Sequence, residues 1–199
     1  MQRPVFIYRE LLLAAWLVWF AYWVVSALRV KQTERRESAG SRLAYMLPLL
    51  IGAWLIAAPR ARLGPLSVQL WPDEAARWLC ALLLVVLGLS FSIWARAHLG
   101  RNWSGTVTVK QDHELIRSGP YAYVRHPIYT GLIVALAGST IGCGEPRALL
   151  GLAIMLYSFV RKLRLEERFM RQQFPEEYAR YSREVPRLIP CARRRSSSA

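Results

Sequence analysis

Cysteine, histidine and acidic side chains are all scarce in this chain. Its three cysteines, Cys80, Cys143 and Cys191, are odd in number and widely spaced, with no CxxC pair and no histidine cluster beside them. That pattern argues against both a disulfide framework and a zinc site, so no metal is expected. Acidic residues number 13 against 27 Lys and Arg, giving a net charge of +14. In a soluble protein such an excess would point to nucleic acid. Here 54% of the residues are hydrophobic and the mean hydropathy is +0.18, so the basic residues are expected to flank membrane helices and meet anionic headgroups, with no nucleic-acid partner.

Long apolar runs account for that composition. Residues 11–28 and 78–95 carry no charge and are long enough to cross the hydrocarbon core at about 1.5 Å per residue. The first run resembles the apolar stretch of a signal peptide. At 18 uncharged residues it is long for one and no small-residue cleavage site follows, so a retained span is expected. Residues 43–58 form a third span containing Pro48, a kink that neighbouring helices can accommodate. The runs 128–144 and 148–160 are separated by Glu145, Pro146 and Arg147 and read as a tight helical hairpin. Arg161, Lys162 and Arg164 can snorkel, letting the last helix continue past the interface.

The expected fold is therefore an all-α integral membrane protein of about five transmembrane helices in one domain, residues 1–199. Three spans fill residues 1–95, a loop, hairpin and C-terminal segment fill 96–190, and 191–199 is a Ser- and Arg-rich tail expected to be disordered. With five spans, 21 of the 27 Lys and Arg fall on the side holding the C-terminus and 6 on the other, which orients the C-terminus to the cytoplasm.

Residues able to carry chemistry concentrate on that basic side. In GPYAYVRHPIYTG, residues 119–131, Gly119 and Pro120 favour a turn, while Pro127 holds His126 extended and starts the next helix where a missing N–H costs nothing. This neck is expected to gather Tyr121, Tyr123, Arg125, His126 and Tyr129; an aromatic belt at the interface is the competing explanation. In RKLRLEERF, residues 161–169, Lys162 and Glu166 are four apart and share a helix face, with Glu167 alongside. An ordinary interfacial salt-bridge helix also fits those charges. Met170, Phe174, Tyr178 and Tyr181 form an apolar stripe interrupted at Pro175, a fresh helix start, suited to the membrane surface or to covering a site. The stretch from 102 to 116, with Val107 and Val109 alternating before His113, reads as an extended loop.

Together, HLGRNWS, HELIRSGPYAYVRHPIYTG and EERFMRQQFPEEYARYSREVPRLIP, in that order, resemble the isoprenylcysteine carboxyl methyltransferase family from about Arg96 to Pro190. The resemblance implies a five-span fold with S-adenosyl-L-methionine in a cytoplasmic pocket partly covered by the C-terminal segment. It also implies a lipophilic acceptor, such as a prenylated cysteine carboxylate, reaching the site from the bilayer. Carried over by motif, cofactor contacts fall on His113, Glu114, Leu115, Ile116, Tyr121, His126, Pro127, Ile128, Tyr129 and Glu166. The basic residue placed near the acceptor carboxylate falls on Lys162; relatives carry Arg there, which leaves Arg161 and Arg164 as alternatives. GCG at 142–144 is too short for a GxGxxG nucleotide fingerprint. Two rival readings remain: an NADPH-dependent membrane reductase of the sterol-reductase type, whose members have a similar neck, and a non-catalytic membrane scaffold. The compact length leans towards the cell membrane of a prokaryote. Neither the acceptor nor the oligomeric state is written in these motifs, and Trp16, Trp19, Trp23 and Trp54 read as packing or interface residues.

Overall fold

A computed structural model describes residues 2–28, 33–36, 38–58, 63–100, 108–110 and 115–190. Six helices carry the fold: α1 Gln2–Ala27, α2 Ala39–Ala57, α3 Ala75–Leu99, α4 Pro127–Cys143, α5 Pro146–Gln173 and α6 Pro175–Glu184. Proline opens α4, α5 and α6, each time at the first helical position, where its fixed φ is already helical and its missing N–H was an orphan anyway. Ser38 caps α2 by accepting from the Ser41 amide at 3.2 Å, and Pro48 lies inside that helix without ending it. The helices depart from the all-α expectation at one place. Strands β1 Thr33–Arg36 and β2 Thr108–Lys110 pair antiparallel, tying the segment after α1 to the one after α3.

Among the described residues, three helices are long and apolar enough to cross a membrane: Pro4–Ala27, Gly40–Ala57 and Ala75–Leu99. Helix α4 is apolar but shorter, at 17 residues. Helix α5 runs on for 28 residues, so the apolar run expected at 148–160 and the charged run after it are one continuous rod. The turn between α4 and α5 is as short as expected, only Gly144 and Glu145, yet each of the two helices packs more closely on another helix than on its hairpin partner. Helix α4 lies chiefly on α3, and α5 chiefly on α2.

Small residues set those pairings. A Cβ on Gly88 would run into the Gly131 carbonyl and one on Gly131 into that of Gly88, so α3 and α4 meet backbone to backbone. In lipid, where water supplies no driving force between helices, such close approach is a principal source of association. Gly52 and Gly151 stand against each other in the same way where α2 crosses α5. Helix α1 rests on α3 and donates from Trp19 Nε1 to Ser92 Oγ at 3.2 Å and from Trp16 Nε1 to Ser139 Oγ at 3.0 Å. Both indoles thus act in packing, as their sequence context suggests. Leu136, Met155 and Phe159, with Tyr129 and Leu132, fill the seam between the two helix pairs. At the end away from the neck, Arg147 donates to the Leu55 carbonyl at 2.6 Å and Trp71 Nε1 to that of Ile141 at 3.2 Å, closing the bundle.

Candidate active site

The neck between α3 and α4 is a short 3₁₀ turn, Gly119–Ala122, followed by an irregular step into Pro127 in which His126, expected to be extended, has φ −128° and ψ 61°. Gly119 has φ +58°, and the His98 ring sits where a Cβ would be, so only glycine fits this turn. Pro120, Tyr121, Val124 and Pro127 are buried, whereas Tyr123 is 62% exposed. Of the five residues expected to share one spot, Tyr121, Arg125, His126 and Tyr129 turn inward. Tyr123 does not, because the 3₁₀ turn rotates it to the outside.

The C-terminal segment straps this neck. The amides of Arg125 and His126 donate to the carbonyls of Pro186 and Arg187 at 2.8 and 3.1 Å, and Thr130 Oγ1 donates to Leu188 O at 2.7 Å. Tyr181 donates its hydroxyl to the Tyr121 carbonyl at 2.6 Å. Tyr178, Tyr181 and Val185 form a buried cluster with Leu115, Met170 and Phe174. The apolar stripe therefore faces inward and covers the neck; it does not lie free on a membrane surface.

The two adjacent glutamates part company because consecutive helical positions point about 100° apart. Glu167 continues the buried line of Gly151, Met155, Phe159 and Leu163 at four-residue steps, and its side chain is 4% exposed. Arg125 donates to its Oε1 from Nη2 at 2.8 Å and Nε at 3.3 Å, Arg187 Nη2 donates to Oε2 at 2.6 Å, and His126 Nε2 lies 3.2 Å from Oε1. Burial alone would raise the carboxyl's pKa. The hydrogen bonds from His126, Arg187 and Arg125 outweigh it and hold Glu167 well below the usual carboxylate range, hence ionised at neutral pH. Glu166 faces the other way, with its side chain 26% exposed. Tyr129 donates to its Oε1 at 2.5 Å, and His126 Nδ1 lies 3.7 Å from Oε2.

Lys162, one turn before Glu166, places Nζ 5.2 Å from the centroid of the Tyr45 ring and 6.0 Å from that of Tyr129. Arg161 and Arg164 are exposed on another face, so among the three candidate basic residues only Lys162 shares a face with Glu166. Tyr121 is buried beside these groups; burial first, then the negative field of Glu166, raises its pKa, and the phenol stays protonated. Leu115 and Ile116 are half-buried, Leu115 in the tyrosine cluster, and Ile128 is half-buried on the first turn of α4. His113 and Glu114 lie outside the described residues.

Four contributors went unassigned in the sequence. Glu167 was signalled by a carboxylate falling in an apolar line, and His98 by the glycine it packs on. Arg187 and Tyr45 carried no local signal, since their partners are 20 residues or a whole helix pair away.

The sequence model of the isoprenylcysteine carboxyl methyltransferase (ICMT) family matches residues 81–172, which contain the neck, Lys162 and both glutamates. Over that stretch the chain is similar to the isoprenylcysteine carboxyl methyltransferase family. Among the similar proteins is protein-S-isoprenylcysteine O-methyltransferase B of Arabidopsis thaliana, 25% identical over 112 residues, 55% of this chain and 57% of the relative. The Schizosaccharomyces pombe protein-S-isoprenylcysteine O-methyltransferase is 32% identical over 113 residues, 55% of this chain and 48% of that protein. The cobalt-zinc-cadmium resistance protein CzcN of Cupriavidus metallidurans is 32% identical over 116 residues, covering 57% of this chain and 51% of CzcN. The chain thus spans about half the length of these relatives. The solved structure of the eukaryotic intramembrane Ras methyltransferase ICMT has the same fold, with TM-score 0.51 and 21% identity over 75% of this chain and 50% of that one. With that fold and three helices long and apolar enough to cross a membrane among the described residues, the chain is a multi-pass integral membrane protein.

Proposed function

We propose that this protein is an S-adenosyl-L-methionine-dependent methyltransferase acting on a lipophilic acceptor, most simply a carboxylate such as that of a prenylated cysteine. The observation that carries the reading is the division of labour between the two glutamates. Glu167 is consumed by Arg125, Arg187 and His126, whereas Glu166 stays partly open, beside His126 Nδ1 and the Tyr129 hydroxyl, with the Lys162 ammonium 6.0 Å from the centroid of the Tyr129 ring. A carboxylate flanked by aromatic rings suits a cationic amino-acid ligand carrying an aromatic base. The cofactor supplies an electrophilic methyl group on a sulfonium, and methyl transfer needs in-line positioning with no covalent intermediate. In this arrangement Glu166 holds the ammonium of the cofactor, Tyr121 and Tyr129 offer ring faces and hydroxyls, and Lys162 orients the anionic acceptor. The strap over the neck keeps these groups in register and excludes water. His113, Glu114, Leu115, Ile116, Pro127 and Ile128 complete the proposed cofactor surface.

The five-span topology belongs to the same reading. Helices α1 to α4 and the apolar half of α5 cross the membrane, and the 21 Lys and Arg on the C-terminal side face the cytoplasm of a prokaryotic cell. Two molecules of different chemistry test the acceptor: an N-acetylated S-farnesylcysteine and a phosphatidylethanolamine, each offered with methyl-labelled cofactor. The reading expects label on the farnesylcysteine as a base-labile ester, with Lys162→Gln raising KM for that acceptor and leaving cofactor binding in place. Label on the amine lipid alone would remove the carboxylate acceptor.

A further inference from the structure

One face of α5 changes character along its length without changing direction. In the apolar half, Leu150, Ala153, Tyr157 and Val160 are exposed at steps of three, four and three residues. Further along the same side of the helix stand Arg161, Arg164, Arg168 and Arg171, all exposed. At 100° per residue these eight side chains fall within an arc of roughly 100°, away from both the buried line through Leu163 and Glu167 and the Lys162–Glu166 face. Glu166 points to the site and Glu167 inward, so the acidic residues of this stretch lie off the arginine face; Arg171 makes only a loose approach of 3.8 Å to Glu167.

We propose that this arginine ladder is a binding surface for anionic phospholipid headgroups. The exposed apolar positions in the same arc face acyl chains, so the arginines that continue them face the lipid on the same side of the helix. Arg161 and Arg164 lie within one turn of Val160, inside a headgroup layer about 5–8 Å deep. Arg168 and Arg171 stand about 10 and 15 Å further along the axis than Arg161, where a tilt of the rod or the reach of the side chain, with a screening length of about 8 Å, keeps them in the field of the surface. Four guanidinium groups offer bidentate donors to phosphate that lysines would not. The surface is separate from the proposed catalytic face; it rests on the apolar half of α5 crossing the membrane and not on the identity of the cofactor or acceptor.

The test uses the full-length protein in mild detergent, with retained lipid counted by native mass spectrometry after addition of equal phosphatidylglycerol and phosphatidylcholine. The expected result is preferential retention of phosphatidylglycerol, reduced roughly fivefold per arginine for Arg161→Gln and Arg164→Gln, less for Arg171→Gln, and only partly reduced in Arg164→Lys, which keeps the charge and loses the bidentate donors. The quadruple glutamine variant should lose the preference while S-adenosylhomocysteine still raises its melting temperature, or, should that variant fold poorly, the graded single variants carry the same comparison. Equal retention of the two lipids, no gradation among the single variants, or stabilisation by inorganic phosphate as large as that by phosphatidylglycerol would overturn the proposal.

Discussion

Replacing Glu167 with glutamine keeps the shape of the side chain and removes the charge that Arg125 and Arg187 face. Glu167 and Arg125 have side chains only 4% and 9% exposed, so the pair is of the buried kind, for which loss of one partner costs about 3–5 kcal/mol. The Arg187 contact adds little, because that side chain is 41% exposed and screened. A glutamine oxygen can still accept one hydrogen bond, which places the expected loss near the lower bound, about 3 kcal/mol. For a chain of this length each kcal/mol moves the midpoint by about 2–4 °C, so the variant should melt roughly 6–12 °C lower in the same detergent. The sign of the acid response follows from the depressed carboxyl pKa. Stability from Glu167 is present at and above the unfolded carboxylate value of about 4.3 and is lost as pH falls below it. Wild type should therefore lose midpoint progressively as pH falls below about 4, and Glu167→Gln less so. A cycle with Arg125→Gln isolates the pair: the double variant should be little worse than either single one. A Glu167→Gln midpoint within about 2 °C of wild type, or an unchanged acid response, would refute the reasoning.

Further consequences reach the bundle and the strap. Gly131→Val forces the α3–α4 crossing apart and should prevent recovery of monodisperse protein by size-exclusion chromatography, whereas Thr130→Val leaves the crossing intact. Tyr181→Phe deletes the hydrogen bond to the Tyr121 carbonyl, costing about 1 kcal/mol, and should speed tryptic cleavage after Arg187 as the strap loosens. Burial, reinforced by Glu167, pushes the Tyr178 phenol up to about 12. Its contribution is full below the unfolded value of about 10 and lost as pH rises from there towards 12, so alkaline melting should begin near pH 10 and be blunted in Tyr178→Phe.

Much of this architecture was legible because it rests on local rules. Uninterrupted apolar length marked α1, α2 and α3, and the prolines at 127 and 175 marked two helix starts, whereas Pro146, read only as part of the break between two apolar runs, starts a third. The shared face of Lys162 and Glu166 follows from four-residue spacing alone, and Tyr129 falls against both. Less legible were features fixed by distant partners. The α4–α5 hairpin opens because Gly88 with Gly131, and Gly52 with Gly151, choose the neighbours, and complementary small surfaces leave no periodic trace. Glu167 looked like a twin of Glu166, yet its role depends on Arg125 and Arg187, 42 and 20 residues away. Tyr45 reaches the site only because α2 lies along α5. Tyr123 was misplaced because the turn expected at Gly119 and Pro120 is a 3₁₀ turn, and the residue types do not say which side chains that turn rotates outward.

The most direct test of the central claim is a thermal-shift titration of the detergent-purified protein with S-adenosylhomocysteine, run beside NADPH and repeated on Glu166→Gln. Ligand that binds only the folded state raises the midpoint by mass action, about 2.7 kcal/mol of stabilisation at a hundredfold excess over Kd. Saturable stabilisation by S-adenosylhomocysteine, absent with NADPH and abolished in Glu166→Gln, is the predicted result. No shift in protein that melts cooperatively, a shift with NADPH instead, or full retention of the shift in Glu166→Gln would contradict it.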